Sequence, residues 1–168
     1  MIAGMVFVLA ITLVLFADPG DRAFNRDVAA RTLQIPATIQ WSQEFGDLDY
    51  EGPPYLGVRL DLNGDGVPEY IVRGARRLCG NGGCPYAIFD GATFRALGTI
   101  FGSVIYVRSA RQQRFAILQT YSSVSADEAR YTTYVFDRTR YVVRDSVQLS
   151  GAALTRLQAE LSRVQSLR

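Results

Sequence analysis

The chain has 168 residues, a net charge of +2 and a hydrophobic fraction of 48%. The high hydrophobic fraction and the small net charge exclude a disordered protein. The length is sufficient for one hydrophobic core. It contains no His, and all 18 basic residues are Arg. These absences exclude His-dependent triads, His-ligated zinc and Lys Schiff-base chemistry. Because the sequence pI is about 8.7 and the charges are evenly spread, we expect no nucleic-acid partner.

The first predicted element is an apolar segment at residues 2–17, which reads IAGMVFVLAITLVLFA. At about 1.5 Å per residue it would span roughly 24 Å, between the lengths typical of a signal peptide and of a membrane span. No basic residue precedes it, and Leu15 occupies the −3 position before a cleavage site after Ala17. The sequence therefore favours an uncleaved membrane anchor at residues 1–20, with a signal peptide as the alternative. Both place residues 21–168 outside the cytoplasm, in a single periplasmic or extracellular domain.

Beyond this segment the pattern predicts a short amphipathic helix over residues 22–33, with Phe24, Val28 and Ala29 on one face. From Tyr55 onward, apolar and polar residues alternate as in half-buried strands. Turn signals separate the predicted strands, which are residues 55–62, 69–73, 86–89, 94–100, 103–108, 115–121, 131–136 and 141–149. We therefore predict a mainly β fold, either one antiparallel sheet or a partial propeller or sandwich-like arrangement, with an N-terminal apolar helix.

Two further patterns lie in the second half of the chain. Residues 87–94 and 134–141 resemble each other, and each predicts a hairpin whose turn opens with Asp. Chance similarity and duplication are equally acceptable explanations. The chain closes with a predicted helix over residues 151–165 after Ser150 as N-cap. One face of this helix carries Leu154, Leu157, Leu161 and Val164.

The two cysteines, Cys79 and Cys84, flank a glycine-rich turn in the sequence CGNGGC. The glycines allow the tight reversal that brings two Cα atoms within bridging distance. An exported domain favours a disulfide over a metal or redox site, because no further Cys or His is present and the spacing is not C-x-x-C. We predict a structural disulfide.

The strongest chemical pattern is DLNGDGVPE at residues 61–69. Oxygen-bearing side chains stand at positions 1, 3, 5 and 9 of this loop, and a backbone carbonyl at position 7 adds a further ligand. An oxygen-only set without His or Cys suits Ca²⁺ better than a transition metal. The predicted calcium ligands are Asp61, Asn63, Asp65, the Val67 carbonyl and Glu69. The alternative is a tight hairpin turn without metal.

The loop is not a complete EF-hand, because position 12 is Val72 and the flanks are strand-like. Over residues 61–72 it resembles the calcium loops of FG-GAP and VCBS repeats, in which a strand enters and a strand leaves. The single copy departs from tandem FG-GAP proteins. Together with the CGNGGC turn, the loop is also similar to a group of uncharacterised bacterial envelope proteins. That resemblance implies an envelope location and implies no activity.

A weaker echo of the loop, with Asp47, Asp49 and Glu51, is a possible second metal site. From these features we expect a non-enzymatic, calcium-stabilised extracytoplasmic domain that binds an envelope protein or glycan, tethered through its N-terminal segment. The alternatives are a carboxylate-dependent envelope hydrolase and an accessory subunit of a membrane complex.

Overall fold

The structure is a computed structural model that describes residues 20–36, 39, 54–163 and 165–166. These ranges are mainly β, as the sequence predicts. In chain order the strands are β1 (Arg22–Asn25), β2 (Gly57–Leu60), β3 (Glu69–Arg73), β4 (Cys84–Phe89), β5 (Ala96–Gly102), β6 (Val104–Gln112), β7 (Phe115–Ser123), β8 (Glu128–Phe136), β9 (Tyr141–Ser150) and β10 (Gln165–Ser166). One α-helix, α1 (Gly151–Leu161), follows β9 in this part of the chain, and single-turn 3-10 helices lie at Val28–Ala30 and Arg76–Leu78.

The strands form two sheets. The larger has the order β10-β1-β6-β7-β8-β9 and is antiparallel except where β10 runs parallel to β1. The smaller has the order β2-β3-β4-β5 and is antiparallel throughout. Neighbours in sequence are mostly neighbours in space, because short turns join antiparallel strands directly.

The two sheets pack against each other through one apolar core. The smaller sheet contributes Ile71, Ile88 and Ile100, and the larger sheet contributes Ile105 and Leu118, all of them buried. These residues alternate along their strands with side chains on the opposite face, as the period of two in a strand requires. Because both sheets share this core, the turns at their ends are held in fixed positions relative to one another.

The helix α1 covers the other face of the larger sheet, with Leu154, Leu157 and Leu161 buried as predicted. It ends at Leu161 and not near residue 165, because the chain then pairs Gln165–Ser166 with β1. Val164 lies outside the described residues. Among the described residues, no helix has the length and hydrophobicity needed to cross a bilayer. The apolar segment at 2–17 also lies outside them.

The helix predicted over residues 22–33 is wrong. Arg22–Asn25 forms β1 instead, with Phe24 directly opposite Ile105 of β6, and only Val28–Ala30 is helical. Ala23 packs under α1 while Phe24 enters the core between the sheets, so successive side chains lie on opposite faces with the period of a strand. Pairing with a distant strand decided the conformation, and the local pattern contained no sign of it.

Candidate functional site

The 61–69 loop connects β2 to β3 at one end of the smaller sheet. Gly64 and Gly66 both adopt positive φ, +78° and +85°, which lets the loop curl back on itself. The loop is held to the larger sheet by the backbone N–H of Ala116, which donates to the carbonyl of Leu62 at 2.7 Å. Its position is therefore set by both sheets.

Three polar side chains of the loop accept hydrogen bonds from its own backbone. Asp61 accepts from the N–H groups of Gly64 and Gly66 at 2.5 and 3.0 Å. Asn63 Oδ1 accepts from the N–H of Asp65 at 2.8 Å, and Asp65 Oδ1 accepts from Val67 at 2.7 Å. These bonds shape the turn from within the loop.

Glu69 forms the floor of the loop and is fully buried. Its Oε2 accepts from the backbone N–H of Leu62 at 2.6 Å, and its Oε1 accepts from Asn63 Nδ2 at 3.2 Å. The same Asn63 nitrogen donates to Asp65 Oδ2 at 2.8 Å. The carboxylates of Asp65 and Glu69 therefore both accept from the side-chain amide of Asn63. The partial positive charge of its NH₂ group attracts both of them.

The pKa values of the loop carboxyl groups shift in opposite directions at the exposed rim, where Asp61 lies, and at the buried floor, where Glu69 lies. Burial, and then repulsion from Asp65 and Asp61, raise the pKa of Glu69 to about 7. At the rim, partial desolvation of Asp61 is outweighed by the N–H groups it accepts from and by the charge of Arg111, so its pKa is lowered. Glu69 has no ion pair among the described residues, and its charge is therefore costly.

The predicted calcium ligands are only partly brought together. Asp65 and Glu69 meet at Asn63, while Asp61 is turned toward the backbone N–H groups of Gly64 and Gly66. Within the described ranges, no group of three or more Asp, Glu, Cys or His side chains is placed to hold a metal. The other predicted ligand, the Val67 carbonyl, faces Gly91, whose Cβ would lie 2.9 Å from it.

Arg111 is the residue of this site that sequence reasoning missed. It reaches the loop from the end of β6, and its guanidinium lies so close to Gly64 that a Cβ there would be 2.6 Å from Nη1. Nothing in the sequence around Arg111 marks this contact, which depends on how the β6–β7 hairpin packs over the smaller sheet. The possible second metal site at Asp47, Asp49 and Glu51 lies outside the described residues.

The predicted disulfide between Cys79 and Cys84 is confirmed. Its turn is closed by reciprocal backbone hydrogen bonds between Gly80 and Gly83, at 2.8 and 3.1 Å. Gly83 has a φ of +129°, and a Cβ on it would overlap the backbone of Gly102. The turn therefore packs closely against the backbone at the junction between β5 and β6.

The two related Asp-led segments are both hairpin turns, as predicted. Asp90 accepts from the backbone N–H groups two and three residues ahead, and Asp137 does the same. The turns also touch, because Arg95 donates to the carbonyl of Thr139 at 3.1 Å. Their likeness is accounted for by the same Asp turn chemistry.

No family model, curated protein or solved structure matches this chain.

Proposed function

We propose that the 61–69 loop binds a calcium ion and that the chain is a calcium-stabilised extracytoplasmic domain with a binding or structural role. The observation that carries the proposal is the buried carboxylate of Glu69. It has no ion pair among the described residues, and it shares a single amide donor with Asp65. A buried charge of this kind is expensive without a counter-charge.

A cation between Asp65 and Glu69 would replace their mutual repulsion with attraction. Carboxylate, amide and carbonyl oxygens are the ligands calcium prefers, and the loop supplies all three kinds. Asp61 and Asn63 already shape the curl of the loop through backbone hydrogen bonds. The resemblance of residues 61–72 to FG-GAP and VCBS calcium loops supports the same assignment.

The extracytoplasmic location is supported by the apolar segment at residues 2–17 and by the disulfide, which suits an oxidising compartment. A binding role is supported over hydrolysis by the position of Glu69. A hydrolase needs two carboxylates facing a cleft, whereas Glu69 is buried beneath its own loop. The partner class we propose is an envelope protein or glycan.

The test is thermal unfolding of the full-length chain in chelator and then in several millimolar CaCl₂. With a Kd on the order of 10⁻⁴ to 10⁻³ M, calcium at about ten times Kd adds roughly 1.4 kcal/mol, or a few degrees in the melting midpoint. The double variant Asp61→Asn with Asp65→Asn should lose this shift. The matched control is Asp127→Asn with Asp145→Asn, which makes the same charge change at exposed sites outside the loop. Equal melting of the wild type in chelator and in calcium would refute the proposal.

A further inference from the structure

A cleft of about 550 Å³ opens on the core-facing side of the larger sheet, beyond the edge of the smaller sheet. Its apolar wall consists of Phe101, Val124 and Val143, which are 42%, 49% and 57% exposed. Thr132 and Ser146 also line it, and their hydroxyl groups are hydrogen-bonded to each other at 3.0 Å. The size is within the range of protein binding sites, and exposed large apolar side chains gathered at one place indicate an interaction surface.

This cleft lies far from the 61–69 loop. Along β7, Ala116 contacts the loop through Leu62, and Ser122 lines the cleft. At about 3.3 Å per residue the two positions are roughly 20 Å apart. The cleft therefore needs an explanation separate from calcium binding.

The cleft opens onto β9, the edge strand of the larger sheet. Val143 and Ser146 of β9 line it directly. The pairing with β8 is irregular at Arg144 and regular from Asp145 to Ser150. No described strand pairs with the outer edge of β9, and its side chains from Val143 to Gln148 are exposed. An exposed edge presents unpaired N–H and C=O groups, which another extended strand satisfies best.

The cleft also contains one charged group, Arg130 on β8. Arg130 stands directly opposite Ser122 on β7 and Gln148 on β9, and it has no ion pair among the described residues. The carboxylate nearest to it along β8, that of Glu128, accepts from Gln148 Nε2 at 3.0 Å. The guanidinium is thus available to an acid supplied by a ligand.

We propose that β9 is the docking edge for an extended peptide segment of a partner protein. The peptide pairs with Asp145–Ser150 as an added strand, and alternate side chains lie over the cleft. One of these is apolar and contacts Phe101 and Val143, and a neighbouring one is acidic and pairs with Arg130. The inference names a partner class within the proposed binding role, but it depends on the cleft and the edge and not on calcium.

The first experiment selects binders to the full-length chain from a displayed library of random linear peptides. Enriched peptides should carry an acidic residue among alternating apolar residues. On binding they should shift the backbone amide signals of β9 and the ring signals of Phe101 in NMR spectra. No enrichment over a blank surface, or enriched peptides that leave these signals unchanged, would overturn the proposal.

An experiment on the peptide backbone can distinguish strand pairing from binding through buried side chains alone. In an added strand, alternate N–H groups point toward β9 and the others point to solvent. N-methylation of one alternate set of an enriched peptide should abolish binding, whereas methylation of the other set should leave it nearly unchanged. Equal loss from both sets would refute strand addition.

The charge contact is tested with Arg130→Glu, which should weaken the acidic peptides about tenfold or more. Arg156→Glu is the matched control, because Arg156 is exposed on α1 and makes no contact with the cleft. Equal binding by Arg130→Glu and Arg156→Glu would contradict the role of Arg130. A concentration-dependent dimer that shifts the same β9 signals without peptide would replace the partner peptide with a second copy of the chain.

Discussion

The backbone N–H of Leu62 donates a 2.6 Å hydrogen bond to the carboxylate of Glu69, across the opening of the β2–β3 loop. Both residues are fully buried, and the side chain of Leu62 belongs to the core between the two sheets. Leu62 therefore links the buried carboxylate beneath the loop to the apolar core between the sheets. Any change of charge at Glu69 should be measurable as a change in the stability of the whole domain.

Glu69→Gln should stabilise the protein in chelator. The amide is neutral, so it avoids the cost of a buried charge and the repulsion from Asp65 and Asp61. Its oxygen still accepts from Leu62, and the gain is reduced because its NH₂ group then faces the Nδ2 donor of Asn63. We expect the free energy of unfolding at pH 8 to rise by on the order of 2 kcal/mol. The same variant should lose the stabilisation by calcium. Denaturant unfolding with and without calcium measures both effects, and a less stable variant in chelator would contradict the prediction.

The pKa of Glu69 also predicts how the metal-free protein responds to pH. Because folding raises this pKa from 4.5 to about 7, the native state holds a proton that the unfolded state has released between these values. The contribution of Glu69 to stability is therefore full below pH 4.5 and is lost as the pH rises through about 7.

Calcium should bind more weakly at pH 6 than at pH 8, since the ion competes with the proton on Glu69. Calorimetric titration at the two pH values measures this, with Glu69→Gln as the control that should show no calcium binding at either pH. Equal affinity at both pH values would show that Glu69 does not contact the ion.

Sequence patterns predicted the elements whose conformation is decided locally. The strand at residues 69–73 was predicted with its observed bounds because Tyr70, Ile71 and Val72 form an apolar run between a turn and an Arg. The disulfide was predictable because only two cysteines exist and glycines separate them. The hairpins at Asp90 and Asp137 were predictable from their turn residues.

What the sequence did not reveal depends on contacts between distant segments. Phe24 lies in a strand because β6 is beside it, and Arg111 reaches the loop because of the way a hairpin packs. The cleft at Phe101 and Arg130 is formed by β5, the edge strand of the smaller sheet, together with β7, β8 and β9 of the larger sheet. No local periodicity contains this information.

A further prediction concerns Asp137 in the β8–β9 turn. The N–H groups of Arg140 and Thr139 and the hydroxyl of Thr139 lower its pKa to about 2. Since the folded pKa is below the ordinary value of 3.8, the contribution of Asp137 to stability is present above pH 3.8 and is lost as the pH falls through about 2. Carboxyl chemical shifts followed by NMR between pH 1.5 and 6 should show the lowered pKa of Asp137.

The Thr139→Val variant should raise the pKa of Asp137, because valine keeps the shape of threonine but removes the hydroxyl donor. Thr155→Val on α1 makes the same replacement at an exposed site whose hydroxyl donates to Gly151. It should leave the titration of Asp137 unchanged. If Thr139→Val also leaves it unchanged, the hydroxyl contributes nothing to the low pKa.

The last prediction compares two glycines of the same disulfide turn. Gly83→Ala should destabilise the domain, because Gly83 has a positive φ of +129° and a Cβ on it would overlap the backbone of Gly102. Gly80→Ala is the matched control, since among the described residues no atom beyond the chain neighbours of Gly80 lies within 4 Å of a Cβ placed there. We expect Gly83→Ala to cost at least about 2 kcal/mol through strain and overlap, and Gly80→Ala to cost well under 1 kcal/mol.

The comparison is made by denaturant unfolding under oxidising conditions, with thiol titration to establish that both variants keep the Cys79–Cys84 bond. The bond must be intact, because its loss alone would cost about 2 kcal/mol for so short a loop. With the bond present, a lower stability of Gly83→Ala reports the contact of the turn with the β5–β6 junction. Equal stability of the two variants would mean that the turn is not wedged against Gly102 and that its position is set by the disulfide alone.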